Sequence, residues 1–287
     1  MAAIALDDDQ LPVWAYAPGE EIADGLHAWE RLGVGHRCET WLVWSATLWS
    51  PVVIKSARPH QIHHPRAIQS LEREVRALDG LVHPNLPRLI RAAIQHSVPY
   101  VVLEYVDGLT LDDELDQHGT LDDRSVALLG AHLLAALVPI HRRGLTHLDI
   151  KPENILIRDG RPVLADFGSA RRIGTEQPPG RPVGTLGWAA PEMEACEPIS
   201  PAMDVFGIGT VLAACLAPTA VDPTSRFSRH LRGLVDAMIA EDPALRPTLN
   251  TAITRIAATL PARDRPWPSW TATPEPEPWD NSNEGPP

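Results

Sequence analysis

The sequence predicts an α+β fold in which a small antiparallel sheet comes before a larger, mainly helical region. Two observations predict it. Residues 26–55 contain three short strand-like segments, the first two joined by a glycine turn. Residues 67–81 and 125–143 instead carry apolar side chains at helical spacing. A chain of 287 residues is long enough to bury a core of this size.

Composition and charge narrow the class of protein. A hydrophobic content of 44% with 22% charged residues is typical of globular proteins. The net charge of -12 argues against a nucleic acid or an anionic membrane surface as the main partner. Cys38, Cys196 and Cys215 form no close pair, which favours a reducing cytoplasm over a disulfide framework or a zinc site. The N-terminus lacks the basic flank of a secretory signal, and no uninterrupted apolar run approaches about 18 residues, so we expect no integral membrane segment.

The predicted elements of the first region follow in chain order. Residues 1–22 are rich in Asp, Pro and Gly and are expected to form an irregular extension. Three antiparallel strands are expected within residues 26–55, followed by a helix over 67–81. Strands at residues 86–89 and 100–105 would complete a five-stranded sheet.

The helix over residues 125–143 opens the second region, and Gly144 suits its C-terminal cap. The composition changes after residue 260, because eight prolines occur in the last 27 residues. We expect a Pro-rich disordered tail over residues 261–287, which is either passive or docks on a partner or on the domain itself. Three tryptophans are unusual in such a tail: Trp267, Trp270 and Trp279.

One stretch in the second region carries residues suited to chemistry. Its side chains follow the spacing His-x-Asp-x-Lys-x-x-Asn, and an Asp-Phe-Gly triplet comes twelve residues after the Asn: His147, Asp149, Lys151, Asn154, Asp166, Phe167 and Gly168. Carboxylate and amide oxygens are ligands that Mg²⁺ prefers, and a carboxylate can orient an attacking hydroxyl. A solvated turn also favours Asp and Asn, but chance rarely satisfies so many positions in order.

The two motifs resemble the catalytic loop and the metal-binding triplet of the protein-kinase superfamily. The chain is most similar to the bacterial, eukaryotic-like Ser/Thr protein kinases. The resemblance implies a two-lobed protein-kinase-like fold over residues 23–260, with an N-lobe at about 23–105 and a C-lobe at about 106–260. It also implies ATP and Mg²⁺ as cofactors, with Mn²⁺ as an alternative ion, and protein substrates.

The resemblance assigns a role to each residue of the stretch. Asp149 would orient the substrate hydroxyl, Lys151 would contact the γ-phosphate, and Asn154 and Asp166 would hold magnesium. The segment that ends in Ala-Pro-Glu resembles the kinase substrate-docking loop, and its Thr185, together with Lys151, is the combination found in Ser/Thr kinases.

The resemblance extends to the first region. Lys55 would pair with the α- and β-phosphates, and Glu74 rather than Glu72 would hold it, because Glu74 stands ten residues before Pro84 as the ion-pairing glutamate does in these kinases. Cys38 replaces the third glycine of the phosphate-binding loop and is either a small tolerated residue or a reactive thiol. The implied nucleotide-binding set is Gly33, Val34, Gly35, Val53, Lys55, Glu104, Val106 and Leu156.

Leu148 stands where many kinases have an arginine that pairs with a phosphorylated activation loop. Leucine cannot make that contact, and the loop offers only Ser169 and Thr175 as acceptors before Thr185. We therefore expect activity without phosphorylation of this loop. The resemblance also gives two structural roles: an aspartate that anchors the catalytic loop, Asp204, and a buried ion pair, Glu192 with Arg246.

Two alternatives stay open at this level. A pseudokinase would use the same fold as a nucleotide-binding or scaffolding module, and a small-molecule kinase would use it on another acceptor. The complete set of Lys55, Glu74, Asp149, Asn154 and Asp166 opposes the first alternative. We expect a cytoplasmic monomer or transient dimer.

Overall fold

The computed structural model describes residues 3–180, 182–217 and 225–260. The strands are β1 (Ala3–Leu6), β2 (Pro12–Ala15), β3 (Glu21–Ala23), β4 (Leu26–Val34), β5 (Cys38–Ser45), β6 (Ser50–Ala57), β7 (Leu89–Ala93), β8 (Tyr100–Glu104), β9 (Leu109–Thr110), β10 (Leu145–Thr146), β11 (Ile155–Arg158), β12 (Arg161–Leu164) and β13 (Arg171–Arg172). The helices are α1 (Pro65–Leu78), α2 (Leu111–His118), α3 (Asp123–Arg142), α4 (Pro191–Glu194), α5 (Pro201–Cys215), α6 (Arg226–Met238) and α7 (Leu249–Thr259).

The small lobe is a six-stranded antiparallel sheet with the strand order β3-β4-β5-β6-β8-β7. The prediction of five strands missed β3, which pairs with the start of β4. The strand predicted at 86–89 was also misplaced, since β7 begins at Leu89. Asn85 explains the shift: its side chain donates to the Pro162 carbonyl, and its own carbonyl accepts from Leu164, so this part of the chain follows the large lobe.

The N-terminal extension is not irregular over residues 3–15, as the sequence had suggested. Strands β1 and β2 form an antiparallel hairpin in this range. Its turn is closed by Asp7, whose carboxylate accepts a 2.8 Å hydrogen bond from the Leu11 amide. The hairpin is fixed to the sheet by Trp14, whose indole donates to the Ala57 carbonyl at 2.9 Å. This contact spans 43 residues, and the local Pro and Asp signals gave no indication of it.

Helix α1 is the single long helix of the small lobe. Pro65 occupies its first turn, and the His64 side chain caps its N-terminus. The buried side of the helix includes Leu71 and Glu74. The helix ends at Leu78, three residues before the predicted end, because Asp79 leaves the helical region and Gly80 adopts a positive φ of 62°.

Helix α3 is the centre of the large lobe. Asp122 caps it by accepting hydrogen bonds from the amides of Arg124 and Ser125. Gly130 is required where α3 meets its neighbours, because a Cβ there would lie 2.8 Å from a Leu212 methyl and 3.0 Å from an Ile256 methyl. In the part of the chain that the structure describes, α3 is the one helix long and apolar enough to cross a membrane, and most of its apolar residues are buried in this core.

The two lobes share one apolar core, which connects α1 with the segment after β12. Buried residues from both sides belong to it, including Leu71, Leu103, Leu164 and Phe167. The small lobe has a second core on the other face of its sheet, with Val43 and Ile54 fully buried. The tail predicted over residues 261–287 lies outside the described residues, as do residues 218–224.

Candidate active site

The segment from β10 to β11 carries the His-x-Asp-x-Lys-x-x-Asn motif, and a buried carboxylate of α5 fixes its backbone. Asp204 accepts hydrogen bonds from the amides of His147 at 2.8 Å and Leu148 at 2.9 Å. Leu148 has a positive φ of 69°, a strained conformation for a branched side chain. The two bonds to Asp204 therefore hold the loop in a shape that the isolated sequence would not favour.

Asp204 has a third partner that the sequence did not reveal. His141, at the end of α3, places Nε2 2.8 Å from the Asp204 carboxylate. Burial disfavours the ionised carboxyl, but the hydrogen bonds and charges from His141 outweigh it and lower the pKa of Asp204 below its usual value. The two residues are 63 positions apart in the chain, so no local pattern joins them.

His147 connects the loop to the Asp-Phe-Gly triplet. Its Nδ1 accepts a hydrogen bond from the Asp149 amide, and its Nε2 lies 3.0 Å from the Ala165 carbonyl. Because a carbonyl can only accept, the imidazole carries its proton on Nε2. The ring also packs edge-on against Phe167, with 4.6 Å between centroids. His147 thus sets the spacing between Asp149 and Asp166 through its ring.

The carboxylate of Asp149 is held from two sides. Thr185 Oγ1 donates to Asp149 Oδ1 at 2.7 Å, and Asn154 Nδ2 donates to Asp149 Oδ2 at 3.2 Å. Asn154 Nδ2 also donates to the Asp149 carbonyl at 2.8 Å. Both bonds from Asn154 use its amide nitrogen, so its carbonyl oxygen Oδ1 is the atom that suits a metal ion.

Lys55 forms ion pairs with two carboxylates. Its Nζ lies 2.9 Å from Glu74 Oε2 and 2.7 Å from Asp166 Oδ1. Of the two glutamates considered in α1, Glu74 is fully buried and Glu72 is exposed. The Glu74 carboxylate also accepts from the Phe167 amide, which ties α1 to the triplet.

These contacts shift the pKa values of the groups involved. Burial disfavours the charged form of Lys55, but the carboxylates of Asp166 and Glu74 outweigh it and raise the pKa of the ammonium. Burial likewise opposes ionisation of Asp166, and the nearby Lys55 lowers the pKa of that carboxyl to about 2. The Asp166 side chain is nonetheless 46% exposed, so an ionised carboxylate faces the cleft.

The glycine loop joins β4 to β5. A Cβ at Gly33 would meet open space, so packing does not explain this glycine. Cys38 occupies the first position of β5 and pairs with Ala57, with no positive φ, which explains why a side chain is tolerated there. Burial raises the pKa of the Cys38 thiol to about 11. The reactive-thiol alternative is therefore not supported.

The predicted hinge follows β8. Arg158 donates to the Glu104 carboxylate at 2.9 Å, a contact across 54 residues that the sequence did not predict. Gly108 is required by close approach, because a Cβ there would overlap the carbonyl oxygen of Ile157. The remaining predicted nucleotide contacts lie in or beside strands: Val34 ends β4, Val53 lies in β6, Val106 follows β8 and Leu156 lies in β11.

The segment that ends in Ala-Pro-Glu is fixed to the large lobe by an ion pair. Arg246 donates to both carboxylate oxygens of Glu192, at 2.5 and 2.8 Å, and its guanidinium lies 4.8 Å from the centre of the Phe206 ring. Both members of the pair are buried. This is the pair that the two distant motifs implied.

A small antiparallel lobe and a helical lobe that meet at these paired Lys, Glu and Asp residues define the two-lobed fold of protein kinases. The family model described as protein kinase domain matches residues 26–223. Because the match covers more than half of the chain, the chain belongs to the protein kinase domain family.

Curated proteins with similar sequences are also kinases by name. The probable serine/threonine-protein kinase PkwA of Thermomonospora curvata is 29% identical over 257 residues, covering 83% of this chain and 34% of the relative. The probable serine/threonine-protein kinase SCO3848 of Streptomyces coelicolor is 28% identical over 235 residues, covering 77% and 35%. Sperm motility kinase 3A of Mus musculus is 29% identical over 254 residues, covering 79% and 49%. The chain thus spans between about a third and a half of the length of these relatives.

Proposed function

We propose that this chain transfers the γ-phosphate of ATP to serine or threonine hydroxyls of protein substrates. The observation that carries the proposal is the presence of two side-chain clusters: an ionic one of Lys55 with Glu74 and Asp166, and a hydrogen-bonded one of Asp149 with Asn154 and Thr185. Phosphoryl transfer needs positioned reactants and neutralised charge more than covalent help from the protein.

The oxygen donors of the cleft fit a magnesium ion. Among the described residues, no group of three or more His, Cys, Asp or Glu side chains could hold a metal by itself. Mg²⁺ does not need one, because it is usually bound by one or two carboxylates together with substrate phosphates and water. In our proposal, Asn154 Oδ1 and the ionised Asp166 are the protein ligands. The bound ion would neutralise charge on the transferred phosphoryl group.

Each side chain of the site has a separate role in the proposed reaction. Lys55, held by Glu74, would pair with the α- and β-phosphates, and Lys151 would contact the γ-phosphate. The Asp149 carboxylate would accept a hydrogen bond from the substrate hydroxyl and orient it for in-line attack. Thr185 holds Asp149 Oδ1 in place for that task. The loop that contains Gly33, Val34 and Gly35 would lie over the phosphates.

The adenine would bind between the lobes. The Glu104 carbonyl and the backbone of Val106 would bind its edge, while the side chains of Val53 and Leu156 would enclose its faces. We place the kinase domain at residues 23–260, with lobes at 23–105 and 106–260. Cytoplasmic location and a monomeric or transiently dimeric state belong to the proposal. All three cysteines of the chain are free, which agrees with a reducing compartment.

The proposal includes activity without phosphorylation of the activation loop. Leu148 is buried in an apolar cluster with residues of the segment that follows this loop: Ala189, Ala190, Met193, Ile199 and Met203. Burial of apolar surface here takes the place of an arginine-phosphate contact. Backbone hydrogen bonds from Gly174 to Ile199 and from Ile199 to Thr175 also hold the loop.

The test uses the full chain with labelled ATP and Mg²⁺, alone and with myelin basic protein as a general acceptor. Asp149→Asn is the matched control, because it keeps the size of the side chain and removes its charge. We expect label on serine or threonine with the wild type and at least a hundredfold less with Asp149→Asn. If both proteins leave the acceptor unlabelled while ATP raises their melting temperatures, the chain is a nucleotide-binding scaffold and the proposal fails.

A further inference from the structure

Arg58 is a buried arginine outside the site described above. It follows β6 directly, and only 2% of its surface is exposed. Its guanidinium donates to the Pro12 carbonyl at 3.2 Å through Nε, to the Gly35 carbonyl at 3.1 Å through Nη1, and to Asp7 Oδ2 at 2.6 Å through Nη2. One side chain thus joins the N-terminal hairpin to the glycine loop.

The backbone of Arg58 makes a second contact with the same loop. Its amide donates to the Arg37 carbonyl at 3.0 Å. The loop between β4 and β5 is therefore held at two carbonyls, Gly35 and Arg37, both by Arg58. The Gly35 amide is also paired, with the Cys38 carbonyl at 2.9 Å. Residues 35–38 are fixed at both ends of the turn.

Asp7 supplies the charge that makes this arrangement stable. A buried guanidinium without a counter-charge is strongly unfavourable. In the described ranges, Asp7 is the one carboxylate in an ion pair with Arg58. The hydrogen bond from the Leu11 amide lowers the pKa of Asp7, burial opposes this, and the hydrogen bond and charge of Arg58 add to the lowering, so the Asp7 carboxyl is more readily ionised than usual.

The hairpin has its own attachment to the sheet, independent of Asp7. The Trp14 indole donates to Ala57, and the Trp14 amide donates to Glu39 Oε1 at 2.9 Å. Trp14 is 7% exposed. Removal of the Asp7 charge therefore leaves the hairpin attached through β2 and changes the support of Arg58 itself.

We infer that the N-terminal hairpin is part of the nucleotide site, because Asp7 positions Arg58 and Arg58 positions the phosphate-binding loop. This inference rests on the proposed function for its effect on ATP. Asp7 and Arg58 are positioning residues and do not touch the nucleotide. Holding the carbonyls of Gly35 and Arg37 fixes the backbone of the loop that is to cover the phosphates, so ATP binds without first ordering the loop.

The test compares Asp7→Asn with Asp8→Asn in the full chain. The two changes alter net charge equally and lie in the same turn, but Asp8 is exposed and Asp7 pairs with Arg58. For Asp7→Asn we expect faster amide hydrogen exchange in residues 33–38 without nucleotide. We also expect a KM for ATP raised by about three- to tenfold with kcat within about twofold of wild type. Asp8→Asn should match the wild type in both hydrogen exchange and KM. Asp7→Glu keeps the charge and should stay close to the wild type in both quantities.

Arg58→Lys is the second variant, because it keeps the positive charge and loses the planar fork that reaches three acceptors. It should raise exchange in residues 33–38 in the same way. Equal exchange and equal KM in Asp7→Asn and Asp8→Asn would overturn the inference. The inference would also be overturned if Asp7→Asn lowered the melting temperature but left both the exchange in residues 33–38 and the KM unchanged. The exchange measurement contains no ATP and tests the support of the loop even if the proposed function fails. A failure of the proposed function would appear instead as a wild type without kinase activity.

Discussion

The hydroxyl of Thr185 donates a 2.7 Å hydrogen bond to Oδ1 of Asp149, which joins the segment before α4 to the loop between β10 and β11. The glycine before it makes this approach possible. Gly184 has a φ of 89°, and a Cβ there would lie 2.6 Å from the Leu148 carbonyl oxygen. A shift of the segment by one residue would break the hydrogen bond of Thr185 and would place a side chain where only Gly184 fits. The geometry of Asp149 therefore depends on the segment that is proposed to receive the substrate.

Removal of the Thr185 hydroxyl should slow turnover. A hydrogen bond to a charged group is worth about 1.5–3 kcal/mol, so Thr185→Ala should reduce kcat by about tenfold or more. Thr185→Ser keeps the hydroxyl and should stay within about threefold of wild type. Steady-state phosphorylation of a general acceptor measures both. Equal loss in the serine and alanine variants would mean that the methyl group, not the hydrogen bond, holds the segment.

Phosphorylation of Thr175 should not be needed for activity. Its side chain is exposed, and its backbone already pairs with Ile199. Thr175→Ala should therefore turn over at the wild-type rate, measured on protein treated with phosphatase. A hundredfold loss would show that the loop requires a phosphate after all.

The buried Leu148 should contribute to stability in place of that phosphate. Truncation of a buried leucine leaves a cavity, so Leu148→Ala should lower the free energy of unfolding by about 2–4 kcal/mol. Exposed Leu186 lies in the segment that packs against Leu148 and offers a control, and Leu186→Ala should change stability by less than about 0.5 kcal/mol. Urea denaturation followed by circular dichroism measures both variants. Equal stability of the two would contradict the apolar role of Leu148.

Breaking the ion pair between Arg246 and Glu192 should be costly. Loss of one partner leaves an uncompensated buried charge, so Arg246→Ala should lower the free energy of unfolding by about 3–5 kcal/mol. Arg229 of α6 is exposed and gives a matched control, with an expected change below about 0.5 kcal/mol. A loss in Arg246→Ala no larger than in Arg229→Ala would show that the pair adds nothing to the fold.

Stability should fall on the alkaline side because two thiols are buried. Burial raises the pKa of Cys38 to about 11 and that of Cys215 to about 12. Between pH 9 and 11 the unfolded chain releases these protons while the folded chain keeps them. The free energy of unfolding therefore decreases as pH rises, by at most about 1.4 kcal/mol per pH unit for each thiol.

Cys215→Ala should make this decrease shallower, whereas Cys196→Ala, at a partly exposed position, should leave the slope unchanged. Urea denaturation at pH 8, 9, 10 and 11 gives the slopes. Identical slopes for wild type and Cys215→Ala would show that the Cys215 thiol ionises no later in the folded chain than in the unfolded one.

Much of the site could be predicted from the sequence because its residues occur in short motifs with fixed spacing. Asp149, Asn154 and Asp166 could be assigned because each has a fixed position within its motif. The distance of ten residues to Pro84 favoured Glu74 over Glu72 as the partner of Lys55. The boundaries of elements were less accurate. The strand expected at 86–89 begins later because Asn85 pairs with Leu164 and Pro162, contacts that no local pattern encodes.

The sequence by itself determined the resemblance to protein kinases, and with it the two-lobed fold and the set of site residues, because the motifs that carry the resemblance are short and have fixed spacing. Only the tertiary structure decided which residues, distant in the chain, hold the site residues in place. His141 reaches Asp204 across 63 residues, and Arg58 reaches Asp7 across 51. Buried charges need partners wherever the fold brings them, and the fold turned an extension expected to be irregular into a hairpin against the glycine loop.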